Sequence, residues 1–168
     1  MNWMKKVAVA LVCLLPLGLQ AAKIDTLQVK SPSMNKSIEV VVVSPDVAAT
    51  KACPVIYLLH GYGGNACTWV GIKPDLPKIA DEKGIFFVCP DGKNTWYWDS
   101  PLNADVRYET FISNELVKYV DSHYKTVADR KGRAITGLSM GGHGAMWNGL
   151  RHSLSLIHIS EPTRQAEI

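Results

Sequence analysis

Gly137-Leu138-Ser139-Met140-Gly141 sets a hydroxyl midway between two glycines, each two residues away. That spacing suits a nucleophile elbow, a sharp strand-to-helix turn that presents a serine at its tip. Backbone at the serine of such a turn is strained, and side chains two positions to either side would collide with neighbouring main chain, so glycine is needed at both places. The chemistry open to such a hydroxyl is acyl transfer through a covalent intermediate. Acyl transfer also requires two main-chain N–H donors aimed at the developing oxyanion. The residue after the serine, Met140, can supply one, and Tyr62 in His60-Gly61-Tyr62-Gly63-Gly64 can supply the other. Losing one such donor typically costs about 2.7 to 4 kcal/mol of transition-state stabilisation.

The elements that must hold these groups are legible as an alternation. Residues 24–29 and 37–43 read as strands joined by a Ser-Pro-Ser-Met-Asn turn, and together they should form the sheet edge. Residues 54–59 (Pro-Val-Ile-Tyr-Leu-Leu) are continuously apolar, as in a strand covered on both faces, and end at the His60 turn. A helix is expected over 76–83 with Gly84 as its stop, then a second buried strand over 85–89 closed by Pro90-Asp91-Gly92. Between 107 and 124 apolar residues recur with helical spacing at Tyr108, Phe111, Ile112, Leu116, Tyr119 and Val120. A short strand over 133–136 and a helix over 142–151 then flank the serine. Strand and helix alternate from residue 54 onward, which predicts an α/β domain with a mostly parallel sheet and helices on both faces.

The chain of 168 residues, 47% hydrophobic, has room for one core. Its first part reads as an export leader: Lys5 and Lys6 precede an apolar run from Val7 to Leu19, and Ala21 and Ala22 follow. We expect residues 1–22 to be removed and the product to be periplasmic or extracellular. The apolar run is shorter than the roughly 20 residues of a bilayer span, and Pro16 interrupts it, so no membrane association is expected once the leader is gone. A formal net charge of +3 and the lack of basic runs interleaved with aromatics exclude a nucleic-acid partner. No Cys-x-x-Cys or His-Glu-x-x-His pattern offers a metal site. Cys53, Cys67 and Cys89 remain after export, and either a Cys67–Cys89 disulfide or free thiols would fit their placement.

Four stretches carry a resemblance: Val-Ile-Tyr-Leu-Leu-His-Gly-Tyr-Gly-Gly, Phe-Val-Cys-Pro-Asp-Gly, the helix end from Glu115 to Tyr124, and Gly-Leu-Ser-Met-Gly-Gly-His-Gly-Ala. Over residues 24–152 they resemble the esterase family that includes esterase D, antigen 85 acyltransferases and feruloyl esterases. The resemblance implies an α/β-hydrolase fold, of which residues 23–153 would be the N-terminal portion. It also implies no cofactor, Ser139 as nucleophile, and Tyr62 and Met140 as the oxyanion hole. A Ser-Asp-His triad is implied too, with acid and histidine following the serine. No Asp or Glu occurs between Ser139 and Ser153. His60 precedes the serine and is read as structural, His143 as packed inside the elbow helix, and His152 as exposed at its end.

Residues 154–164 (Leu-Ser-Leu-Ile-His-Ile-Ser-Glu-Pro-Thr-Arg) resemble the translation of a transposase adapter used in preparing sequencing libraries. On that resemblance residues 154–168 are a non-native tail, against the alternative of a native strand built on Leu154, Leu156 and Ile159. The chain as it stands would then lack its triad partners and be inactive. Trp96-Tyr97-Trp98-Asp99 lies at the carboxyl end of the second buried strand, where ligands bind in open α/β sheets. Trp96 and Trp98 are therefore candidates to stack on a small-molecule or carbohydrate ester, such as a feruloyl or acyl sugar ester; packing under a long loop is the alternative. Two competing readings remain from other classes. Gly61-x-Gly63-x-x-Ala66 matches a dinucleotide fingerprint only if it opens a helix at once, which Gly71 and Pro74 oppose. A non-catalytic carbohydrate-binding protein could use the same fold, and transfer to a sugar acceptor could replace hydrolysis.

Overall fold

The computed structural model describes residues 22–153 and the backbone of Ile157 and His158. The expected leader up to Ala21 and most of the expected tail lie outside the described residues. Six strands form one sheet in the order β1-β2-β4-β3-β5-β6. These are β1 (Lys23–Ser31), β2 (Lys36–Ser44), β3 (Val55–Leu59), β4 (Phe86–Pro90), β5 (Arg133–Gly137) and β6 (Ile157–His158). The hairpin β1–β2 is antiparallel, and β2 joins β4 antiparallel. From β4 through β3 and β5 to β6 the pairing is parallel. The parallel pairs need crossovers, and helices supply them. Between β3 and β4 run α1 (Thr68–Ile72) and α2 (Leu76–Lys83). Between β4 and β5 run α3 (Tyr108–Thr110), an uninterrupted π-helical segment Phe111–Leu116, and α4 (Val117–His123). After β5 comes α5 (Met140–Arg151).

Alternation along the strands sorts the core into two layers. Val40, Val42, Val55, Tyr57, Leu59, Phe86 and Val88 face one way and pack with Phe111, Ile112, Leu116, Val120 and Ala145 of the helices after β4 and β5. Val41, Val43, Leu58, Phe87 and Cys89 face the other way and pack with Leu76 and Ala80 of α2. Helices therefore cover both faces, as the apolar runs predict. Gly84 ends α2 at φ +63, a left-handed cap that glycine adopts without steric cost. Two differences from the sequence reading are local. Thr68–Ile72 forms a helix that its glycine and flanking proline hide, and α5 begins two residues earlier than expected, directly behind Ser139.

Partly buried carboxylates tie the elements together. Glu115 accepts from Ser31 Oγ (2.6 Å) and the Ser33 amide (2.8 Å), fixing the β1–β2 turn to the helix. Asp99 accepts from the Thr110 amide (3.0 Å) and hydroxyl (2.6 Å), anchoring the long loop after β4 to the start of that helix. Asp121 pairs with Arg133 and accepts from Thr126 Oγ1 at 2.7 Å. The three cysteines among the described residues are free thiols: Cys53 and Cys89 are buried and Cys67 is exposed, so the Cys67–Cys89 disulfide alternative is not realised. Burial pushes the Cys89 thiol up to about 12. Replacing the fully buried Ile112 by Ala should lower the unfolding free energy by about 2–5 kcal/mol in urea titration. Leu102→Ala, at a side chain 97% exposed, should change it by less than about 0.5 kcal/mol.

Candidate active site

Three turns meet at the carboxyl ends of neighbouring strands: His60 follows β3, Asp91 follows β4 and Ser139 follows β5. Ser139 has φ +48 and ψ −112, a left-handed conformation costly for any residue but glycine. It is solvent-exposed and precedes α5, whose backbone starts at Met140. The flanking glycines are required by main chain rather than by other side chains. A Cβ on Gly141 would lie 2.3 Å from the Leu59 carbonyl oxygen, and one on Gly137 would lie 2.5 Å from the Gly141 carbonyl carbon. The Leu59 carbonyl is itself fixed, accepting from the Leu138 amide at 3.1 Å and the Trp69 indole at 3.1 Å. The bend is thus pressed against the end of β3.

The turn from His60 to Gly64 lies beside the serine, because a Cβ on Gly61 would be 3.7 Å from Ser139 Cβ. It closes on a Gly64 amide to Gly61 carbonyl bond of 3.0 Å, and the Gly63 amide donates to Asn94 Oδ1 at 2.7 Å. The Tyr62 amide, between them, has no acceptor among the described residues. The Met140 amide, at the first position of α5, has no intrahelical acceptor. Two uncommitted donors therefore flank the serine. Among the described residues none hydrogen-bonds the Ser139 hydroxyl.

His60 is buried with both ring nitrogens engaged. Nε2 accepts from the Gly92 amide at 2.9 Å, so Nδ1 carries the proton and donates to the Gly61 carbonyl at 2.7 Å. Asp91 Oδ1 is 3.5 Å from Nε2, but a nitrogen already accepting from Gly92 has no proton to give it. Burial works against ionisation of Asp91. The neighbouring His60 ring, with hydrogen bonds from the Lys93 side chain (2.6 Å) and amide (2.8 Å), outweighs it and holds its carboxyl well below the usual carboxylate range. His60 and Asp91 thus brace the two turns, and neither nitrogen of the ring is available to a serine.

The histidines of the elbow helix and its end differ from the sequence reading. His143 does not pack inside: it is exposed, with Trp96 edge-on at 5.4 Å, Trp98 edge-on at 6.1 Å and Trp147 stacked at 6.2 Å. The small side chains of α5 explain this, since Gly141, Gly144, Ala145 and Asn148 take the buried stripe and His143 falls outside it. His152 is not free either, its Nε2 lying 2.9 Å from Oε1 of the buried Glu109. Glu109 also accepts from Trp147 Nε1 (2.6 Å) and Arg151 Nε (2.8 Å). Burial raises its carboxyl, but the Arg151, Trp147 and His152 contacts prevail and lower it.

Trp96 and Trp98 are 42% and 43% exposed, partly packed and partly open. The residue between them, which sequence reasoning did not single out, holds the loop. Tyr97 is fully buried, donates its hydroxyl to the His60 carbonyl at 3.1 Å, and fills the space left by Gly92 and Gly144. Asn148 Nδ2 donates to the Tyr97 carbonyl at 3.0 Å. Lys93, Trp96 and Tyr97 all have positive φ, a run of strain this anchor sustains. The indoles and His143 form an aromatic ledge about one helical turn from the serine, since the His143 amide bonds the Ser139 carbonyl at 3.1 Å. The glycine-rich turn opens no helix at once, α1 beginning only at Thr68, so the dinucleotide reading lacks its required context. Among the described residues no three metal-ligating side chains cluster, and no helix is long and apolar enough to cross a membrane.

Gly141→Ala should lower the thermal midpoint by more than about 6 °C, because the added methyl meets fixed main chain that cannot move aside. A Gly142→Ala control, whose nearest new contact is 3.3 Å, should cost far less in the same calorimetric measurement.

Known proteins share this family and fold. An acetyl esterase of Caldicellulosiruptor saccharolyticus is 31% identical over 105 residues, covering 62% of this chain and 38% of the relative. A ferulic acid esterase superposes with a TM-score of 0.70 at 31% identity, over 82% of this chain and 58% of the other. FphF, a fluorophosphonate-binding serine hydrolase of Staphylococcus aureus, shares the fold with a TM-score of 0.74 at 21% identity, over 82% and 55%. The chain thus spans little more than a third of the acetyl esterase and just over half of the solved structures. The Esterase family profile, described as "Putative esterase", matches residues 31–160, and this chain belongs to that family, with the α/β-hydrolase fold of its neighbours.

Proposed function

We propose that the protein of which this chain forms part is a serine carboxylic-ester hydrolase. The observation that carries the reading is the strained, exposed Ser139 with the uncommitted amide of Tyr62 in the neighbouring turn and that of Met140 directly after it. Ser139 Oγ attacks the acyl carbon, and negative charge on the carbonyl oxygen is received by the amides of Tyr62 and Met140. The C–O bond to the alcohol then breaks, leaving an acyl-enzyme that water hydrolyses. A base must take the serine proton, and His60, with both nitrogens committed, does not serve. We assign acid and base to a longer parent, in the order carboxylate then histidine.

Residues 154–168 are, on this reading, a non-native adapter-derived tail. The Ile157–His158 ladder does not oppose it, since the open edge of β5 pairs with any short extended segment. The leader exports the protein, and the substrate is a small or carbohydrate-linked ester, with Trp96 and Trp98 receiving a sugar or aryl ring. Likeness to an acetyl esterase and a ferulic acid esterase supports this substrate class.

The genomic reading frame beyond the codon for Ser153 should continue for about a hundred residues, to reach ordinary domain size, and contain a carboxylate followed by a histidine. That parent should turn over p-nitrophenyl acetate and take up a fluorophosphonate at Ser139, while the 168-residue chain and parental Ser139→Ala stay at background. Equal turnover by the short chain, or genomic codons matching residues 154–168, would refute the assignment. Trp98→Ala in the parent should raise KM for a feruloyl sugar ester several-fold with kcat largely kept, in steady-state assays; an unchanged KM removes the loop from the site.

A further inference from the structure

The start of the described chain is held by a carboxylate far from the serine. The Ala22 main-chain nitrogen donates to Asp81 Oδ2 at 2.7 Å, and the Asp46 amide donates to Asp81 Oδ1 at 2.8 Å. Ala22 packs against the core layer beneath α2, and Lys23 enters β1 opposite Ser44. Two acidic side chains stand together here, and desolvation and then the charge of Asp81 push the Asp46 carboxyl above its ordinary range. No cationic side chain among the described residues pairs with Asp81; the nearby Lys23 ammonium goes to Asp25 at 2.9 Å. The place has an acidic acceptor, a main-chain nitrogen already in contact, and no positive partner among the described residues.

The sequence offers a source for that charge. Export cleavage leaves a small residue at the new carboxyl end, and both Ala21 and Ala22 qualify. Cutting after Ala22 puts polar Gln20 three residues back, whereas cutting after Ala21 puts apolar Leu19 there. The fold separates the two more sharply. Cutting after Ala22 deletes the donor to Asp81 Oδ2 and the alanine that packs below α2. Cutting after Ala21 keeps both and converts a neutral amide donor into an ammonium with three N–H groups. Charge-assisted hydrogen bonds are about twice as strong as neutral ones.

We propose that the leader is removed between Ala21 and Ala22, one residue earlier than the leader boundary set above, and that Asp81 receives the α-ammonium this releases. A signal peptidase hydrolyses the Ala21–Ala22 peptide bond with one water, which leaves a carboxylate on the leader and an ammonium on Ala22. The resulting ion pair locks the first residue of the mature chain onto α2 and offsets the repulsion between Asp46 and Asp81. The inference rests on the export reading.

The test is to express the chain from Met1 in a bacterial host, recover the exported product, and read its N-terminus by intact mass and Edman sequencing. A single species beginning at Ala22 is expected. A start at Lys23, or elsewhere past the leader, overturns the inference while leaving export intact; a retained leader overturns the export reading itself. A second measurement reads the ion pair. Adding one alanine ahead of Ala22 should lower the thermal midpoint by about 3–5 °C with Asp81 present. In Asp81→Asn the same addition should shift it by less than about 1 °C. Equal shifts in the two backgrounds would show that the ammonium and Asp81 are not coupled.

Discussion

The contact on which the site depends is main chain against main chain: the carbonyl of Leu59, at the end of β3, sits against the bend formed by Gly137 to Gly141. Nothing larger than a hydrogen fits on either glycine facing it. Because Leu59 O also takes the Leu138 amide, the bend cannot relax away from the strand, and Ser139 is kept at positive φ with its hydroxyl outside. Strain of this kind costs on the order of 1–3 kcal/mol and survives only where the surroundings over-determine it. Here they do: β5 is paired with β3 along its whole length, and α5 starts immediately after the serine.

The same carboxyl edge is braced from the β4 side. His60 is wedged between the turn it begins and the Gly92 amide, and Tyr97 bonds the His60 carbonyl while its ring occupies the hollows left by Gly92 and Gly144. One buried tyrosine therefore couples the turn after β3, the loop after β4 and the helix after β5. The two indoles beside it are half-exposed as a consequence, since the anchor between them fixes the loop and turns its neighbours toward His143. Glu109 plays the corresponding part at the far end of α5, where Trp147, Arg151 and His152 converge on one carboxylate.

Partly buried carboxylates stand where irregular segments meet regular ones. Glu115 holds the hairpin turn, Asp99 the long loop, Asp121 the entry to β5 and Asp81 the entry to β1. In each case a carboxylate accepts main-chain or hydroxyl protons. The hydrophobic layers supply the bulk of the stability, while these carboxylates decide how the connections lie upon them.

Hydrophobic period and glycine spacing were enough to locate the strands, the helix ended by Gly84, the long helix before β5 and the elbow around Ser139. Those features are local: an apolar run, a 3.6-residue stripe or a glycine that must bend each leaves its mark within a few residues of sequence. The engagement of His152 by Glu109 and the anchoring role of Tyr97 were not legible, because each depends on residues 37 to 51 positions away in the chain. Sequence by itself determined that a serine would stand on a glycine-flanked turn after a buried strand. Only the tertiary structure decided what surrounds it, since the partners of a side chain are chosen by which strand ends the sheet order brings together.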